Sequence, residues 1–103
     1  MISLILPYWN RQSAANEAFA SLEKYADLDM EVLVMDDGNR IPFVVPDTKL
    51  DVRVIRLPLK DEPKSPLTCW NKGVEAANGD IIVLSCIEII HETAILEELT
   101  KDL

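Results

Sequence analysis

Residues 71–91, NKGVEAANGDIIVLSCIEIIH, run a helix end, a stop, an apolar strand and a polar cluster in immediate succession. The apolar period changes from helical to continuous across Asn78-Gly79, so a helix must fold back onto the strand that follows it. That is the unit from which parallel α/β sheets are built.

The same grammar recurs upstream. Residues 2–6 form a short apolar run ended by Pro7, which predicts a strand buried on both faces. Ala14, Ala15, Ala18, Phe19, Leu22 and Ala26 then recur on one helical face, with Asn10 placed to cap the helix. Residues 30–35 predict a second strand that stops at Asp36-Asp37-Gly38. Residues 39–50 carry two prolines and no helical period, which predicts a loop with an exposed tip. A third strand is expected over 52–57. Ser65-Pro66 then starts a helix, because the hydroxyl caps a free amide and proline suits the first helical position. Leu67, Trp70, Val74 and Ala77 make its expected apolar face, and Asn78-Gly79 is expected to close it with a left-handed cap. Gly73 inside this helix costs about 1 kcal/mol relative to alanine, which implies a close approach to the sheet. A fourth strand covers 81–84, and 91–103 predicts a last helix with Leu96, Leu99 and Leu103 on one side.

Strands alternating with helices predict an α/β fold: a mostly parallel open sheet with flanking helices, about four strands and three helices, in one domain over 1–103. A chain of 103 residues has room for one core of this kind. The formal charge of −8, with no basic stripe, excludes a phosphate-backbone grip on nucleic acid. It also means that a phosphate ligand needs local help from a cation, a helix N-terminus or a few placed basic side chains. Cys69 and Cys86 lack metal-ligand spacing and are expected to be reduced. No apolar run approaches the ~18 residues of a membrane span, and the expected setting is a soluble, cytoplasmic one.

In open α/β sheets ligands bind beyond the carboxyl ends of the strands. Three of those ends carry unusual polar groups here: Pro7-Tyr8-Trp9-Asn10-Arg11, Asp36-Asp37-Gly38 and Ser85-Cys86-Ile87-Glu88. Each has a plain structural explanation. Trp9 can cover a core, Asn10 can simply cap its helix, Asp-Asp-Gly is a common turn, and Glu88 with His91 can be a solvated helix start. Their occurrence at one edge of one sheet is what raises the functional reading.

These motifs carry a resemblance. ISLILPYWNR is similar to the opening strand and Pro-x-Tyr-Asn turn of family 2 glycosyltransferases of the GT-A fold. EVLVMDDGNR resembles their second strand and Asp-Asp-Gly-Ser turn, and NKGVEAANGDIIVL their Arg-Asn-x-Gly helix and the strand leading to the metal site. The likeness runs over nearly all of the chain and corresponds to the amino-terminal, donor-binding half.

The resemblance implies a nucleotide-diphosphate sugar, most often a uridine one, as donor. Trp9 takes the family's tyrosine position beside the base, with Pro7 and Tyr8 shaping the turn and Asn10 next to it. Asp37 would accept a hydrogen bond from the imide of the base, a sound role for an acceptor-only carboxylate. Asp36 would orient the turn or reach the ribose, and Arg11 and Lys64 would neighbour the phosphates. Where the family carries Asp-x-Asp for Mn²⁺ or Mg²⁺, this chain has Cys86-Ile87-Glu88, so Glu88 and His91 are the expected metal residues. Cys86 suits such an ion poorly. Some relatives resemble this variant, with Asn-Pro-Glu followed by a histidine.

The family's acceptor pocket and catalytic base belong to a second half, so no base is expected within these residues. The acceptor stays unspecified. The open edge of the fourth strand predicts self-association or a mobile last helix. A non-catalytic nucleotide-binding or interaction module of the same fold is the alternative. A signalling receiver domain fits worse, because its acidic pair should follow the first strand, and a purely structural α/β domain is the plain competitor.

Overall fold

A computed structural model describes residues 1–9, 11–38, 41–58 and 66–85, the side chains of 66 and 67 excepted. Four strands are present: β1 (Ile2–Tyr8), β2 (Met30–Asp36), β3 (Asp51–Arg56) and β4 (Ile81–Leu84). They form one sheet in the order β3-β2-β1-β4, and every pairing is parallel. Two α-helices, α1 (Gln12–Leu22) and α2 (Pro66–Ala76), provide crossovers, and a 3₁₀ turn over Glu23–Tyr25 extends the first. The expected helix over 91–103 lies outside the described residues.

The central strands explain why the sheet forms. β2 is buried along its whole length and β1 nearly so, as continuous apolar runs covered on both faces require. Alternation then sorts their side chains into two layers. Leu4, Leu6 and Tyr8 join Val32 and Val34 against Ala15, Ala18, Phe19 and Leu22 of α1. Ile5, Leu33 and Met35 face the other way and meet Cys69 and Trp70 of α2. The chain runs from β1 through α1 to β2, on to β3, and returns through α2 to the far side of β1. Right-handed crossovers in opposite directions place the two helices on opposite faces.

The expected close approach at Gly73 is present. A Cβ there would lie 2.5 Å from Cγ2 of Ile5, a buried core side chain. Three local expectations are corrected. α1 begins at Gln12 with Arg11 in the capping position and no side-chain cap, whereas Asn10 lies outside the described residues. The buried face of α2 runs through Cys69 and Gly73 with Trp70 and Ala77 packed against the same core, as expected for those two; Val74 is 45% exposed instead of buried. Gly79 does not take a positive φ; Gly38, at 76°, is the described glycine that does. Gly79 is small for a steric reason instead. A Cβ on it would stand 2.6 Å from Ser3 Oγ and 2.7 Å from the carbonyl oxygen of Met1.

That contact is part of a polar latch at the amino ends of the strands. Glu31 is 3% exposed, and its Oε2 accepts hydrogen bonds from Ser3 Oγ at 2.6 Å and the Asn78 amide at 2.7 Å. Its Oε1 meets Arg53 Nη2 at 3.3 Å, and the same nitrogen donates to the Ala76 carbonyl at 2.6 Å. Ser3 Oγ in turn accepts from the Gly79 amide at 2.8 Å. One carboxylate thus ties β1, β2 and β3 to the carboxyl end of α2. Burial pushes the Glu31 carboxyl up, but the donors from Ser3 and Asn78 and the charge of Arg53 together outweigh it and hold it below the usual carboxylate value.

Among the described residues the two sheet edges differ. β3 presents Asp51, Arg53 and Arg56, all exposed, whereas β4 carries no charge and leaves Ile81, Ile82 and Leu84 between 37 and 47% exposed. Charged side chains discourage edge pairing; an apolar edge does not.

Candidate functional site at the strand ends

Strand order places the candidate residues. β1 lies between β2 and β4, so the carboxyl ends of those three strands are neighbours, and the order of connection reverses between β1 and β4. A reversal of this kind leaves a crevice at the carboxyl ends, because the chain departs from it in two directions. The described parts of the three polar turns, Pro7–Trp9, Asp36–Gly38 and Ser85, stand at the ends of these three adjacent strands. Tyr8 pairs in register with Asp36, the Asp37 amide donates to the Tyr8 carbonyl at 3.0 Å, and the Ser85 amide donates to the Ile5 carbonyl at 3.2 Å.

On β1, Pro7 and Trp9 are half-buried and Arg11 is exposed, but Tyr8 is only 4% exposed and belongs to the α1 layer. Its ring meets Phe43 edge-on at 4.8 Å. Burial pushes the Tyr8 hydroxyl up; the Arg11 backbone opposes this, and the negative charge of Asp36 adds to it. At the end of β2 both carboxylates are inside: Asp36 is fully buried and Asp37 is 3% exposed. Asp36 Oδ2 accepts the Phe43 amide at 2.9 Å. Gly38 follows with its positive φ and turns the chain out of the sheet.

The amino end of α1 opens on a cleft of about 460 Å³ lined by Arg11, Gln12, Ser13 and Ala14. The first intrahelical bond runs from the Ala15 amide to the Arg11 carbonyl at 2.9 Å. The amides before it have no partner along the helix, the side chain of Arg11 in the capping position makes no cap bond, and the first turn contains no acid. Such an end favours an anion.

Asn10, Lys64, Glu88 and His91 lie outside the described residues. Among the described residues no group of three or more histidine, cysteine, aspartate or glutamate side chains could hold a metal ion. Chemically, Glu88 and His91 offer one hard carboxylate and one imidazole, a donor pair that a cation would complete with water and ligand oxygens.

Four residues with a part in the site were not assigned a role from sequence. Ser85 is 4% exposed at the crevice, and its Oγ is a buried side-chain oxygen without a hydrogen-bond partner among the described residues. Trp70 Nε1 donates to the Ser85 carbonyl at 3.3 Å, which fixes the end of β4 beneath α2. Gln12 and Phe43 hold the 41–50 loop, and only the apolar character of Phe43 amid prolines hinted at an anchor. No helix among the described residues is long and apolar enough to cross a membrane.

Against known families, the model described as Glycosyl transferase family 2 matches residues 3–85, well over half of the chain, from the second residue of β1 to just past the end of β4. Among curated proteins none matches.

Proposed function

The chain belongs to glycosyl transferase family 2, and from that membership we propose that the crevice at the β1–β4 reversal binds a nucleotide-diphosphate sugar, with uridine diphosphate as the carrier. The glycosyl group would pass to an acceptor with inversion. The observation that carries this is the sheet order, which makes neighbours of the three polar strand ends.

Around that crevice the proposed roles follow the chemistry of each group. Trp9 offers a ring to the base, and Asp37, at the floor, accepts from the imide; a hydrogen bond in so buried a place is stronger than one in water. Pro7 and Tyr8 shape the β1 turn, and Asn10 follows them. Arg11 and the first-turn amides of α1 supply the positive field that an acidic chain needs to hold a diphosphate, with Lys64 as a second basic neighbour. Glu88 and His91 would hold Mn²⁺ or Mg²⁺. Such an ion, when bound, neutralises charge on the departing diphosphate. The acceptor and the base that deprotonates it are not among the residues assigned, and a cytoplasmic setting is part of the same proposal. The uncharged β4 edge is the place where a second copy would pair.

Cys86 in place of the first acid of the metal motif favours one second reading, a nucleotide-binding module that does not transfer sugar. Calorimetric titration with uridine diphosphate, with and without Mn²⁺, tests both. The wild-type chain is expected to bind with Mn²⁺ present, and Asp37→Ala to weaken binding about tenfold to hundredfold, the value of a hydrogen bond to a charged acceptor. Glu88→Ala is expected to remove the metal dependence. Absence of wild-type binding in either condition would overturn the donor site. Binding indifferent to Mn²⁺, with no turnover, selects the module.

A further inference from the structure

The two aspartates that end β2 do different work. Alternation along β2 turns Asp36 to the same side as Val32 and Val34, into the layer that also holds Tyr8, Phe19 and Phe43. There it is fully buried, opposite Tyr8 in register, with Oδ2 receiving the Phe43 amide at 2.9 Å. Phe43 is itself 7% exposed, edge-on to Tyr8 and 6.0 Å from Phe19. Asp37 comes one residue later, past the last paired position, and alternation turns it away from the α1 layer.

The segment that Asp36 grips has no regular structure to hold it. Between β2 and β3 a doubly wound fold commonly places a helix, whereas residues 41–50 here form an irregular loop. Side chains from three other segments replace the missing helical bonds. Asp36 takes the Phe43 amide, and Glu23 Oε1 takes the Lys49 amide at 3.0 Å. Gln12 takes the Val44 amide at 3.0 Å and returns a bond to the Val44 carbonyl at 2.9 Å. Gln12 also lines the cleft at the amino end of α1. The loop is therefore fastened at one point to the strand end and at another to the helix start, the two parts of the crevice that would hold base and diphosphate.

We propose that Asp36 is a positioning residue: by holding Phe43 it sets the 41–45 loop between the end of β2 and the start of α1, and it leaves contact with the donor at the end of β2 to Asp37. The loop transmits this through two fastenings. The Phe43 ring fixes Tyr8 and so the turn that presents Trp9, and Gln12 fixes the first turn of α1. Removing the acceptor at Asp36 frees the loop and loosens both. Removing only its charge does not, because an amide oxygen still receives the Phe43 amide. The identity of the ligand rests on the donor-site proposal; the positioning role does not.

Asp36→Ala, Asp36→Asn and Asp37→Asn, made in the full chain, separate the two roles. Hydrogen exchange at the Phe43 amide reads the fastening without any ligand, and titration with uridine diphosphate reads the site. In Asp36→Ala, exchange at Phe43 is expected to rise at least tenfold more than at amides of β2, and affinity to fall about tenfold. Asp36→Asn is expected to bring both back to within a few-fold of wild type. Asp37→Asn is expected to leave Phe43 exchange where it was while weakening binding. Equal Phe43 exchange in wild type and Asp36→Ala would overturn the positioning role, as would an Asp36→Asn variant no better than Asp36→Ala. A wild-type chain that binds no uridine diphosphate would overturn the donor site instead, and the exchange result would still decide the role of Asp36.

Discussion

Glu31→Ala is expected to lose about 2–4 kcal/mol of folding stability in urea denaturation, the cost of leaving donors around a buried acceptor without a partner. A domain of this size has only about 5–15 kcal/mol in total, so the variant gives up a large share of its margin. The loss is larger than that of one contact because two donors lose their acceptor together. Ser3 Oγ loses the acceptor at 2.6 Å and the Asn78 amide loses the one at 2.7 Å, whereas Arg53, half-exposed, keeps its bond to the Ala76 carbonyl. An unmatched donor in a buried place costs more than the bond it made. Glu31→Gln retains an acceptor and is expected to lose less, with the difference reporting the charge.

The same carboxylate sets an acid limit. The folded-state value for Glu31 is below its ordinary value of 4.5, so the unfolded chain binds the proton more readily. Its contribution is fully present above about pH 4.5, and is lost as pH falls through the lower folded value. Stability measured from pH 6 downward is expected to decline in the wild type and to decline less steeply in Glu31→Gln. An identical decline in both would assign acid unfolding to other carboxylates.

Gly79→Ala is the second large effect, expected to cost about 2–4 kcal/mol, at the upper end for a small-to-large change in a packed site. Two of the atoms its Cβ would meet belong to backbone, the Met1 carbonyl oxygen at 2.7 Å and the Ser3 amide nitrogen at 2.8 Å. Neither can rotate away. The Met1 carbonyl is also held in place by the Asp80 amide at 2.8 Å. Relief must come from displacing Gly79, which breaks its amide bond to Ser3 Oγ and with it the hydroxyl that Ser3 aims at Glu31. Because both substitutions damage the same hydroxyl, Gly79→Ala combined with Glu31→Ala is expected to cost less than the sum of the two. Strict additivity would mean that Ser3 does not couple them.

Whatever depends on short sequence periods was legible before the structure. The strands were placed to within one or two residues because β1 and β2 are largely apolar runs, broken near their starts by Ser3 and Glu31, and β4 was placed at both ends by Asn78-Gly79 and by Ser85. The parallel sheet that makes neighbours of β2, β1 and β4 followed from the alternation of strands and helices. What sequence could not show depends on partners far apart along the chain. Glu31 reads as one acid at the start of a strand, and nothing nearby announces that Asn78, 47 residues later, closes over it. Gly79 carried the signature of a helix cap, and its actual constraint is the backbone of β1. The face of α2 was read correctly at Trp70 and Ala77 and misjudged at Val74, the residue next to the approach of Gly73 to Ile5. Asp36 and Asp37 look equivalent in the sequence; only the register with Tyr8 and the bond to Phe43 distinguish them.

The central claim is that ligand chemistry sits at the carboxyl ends of β1, β2 and β4, while the Glu31 latch at the opposite ends is structural. Amide chemical-shift mapping during titration with uridine diphosphate and Mn²⁺ tests it most directly. The expected result is a set of perturbed amides at Tyr8, Trp9, Gln12, Ser13, Asp37, Gly38 and Ser85, with Ser3, Glu31, Asn78 and Gly79 unmoved. Perturbation centred on the latch, or none at the strand ends at saturating nucleotide, would contradict it.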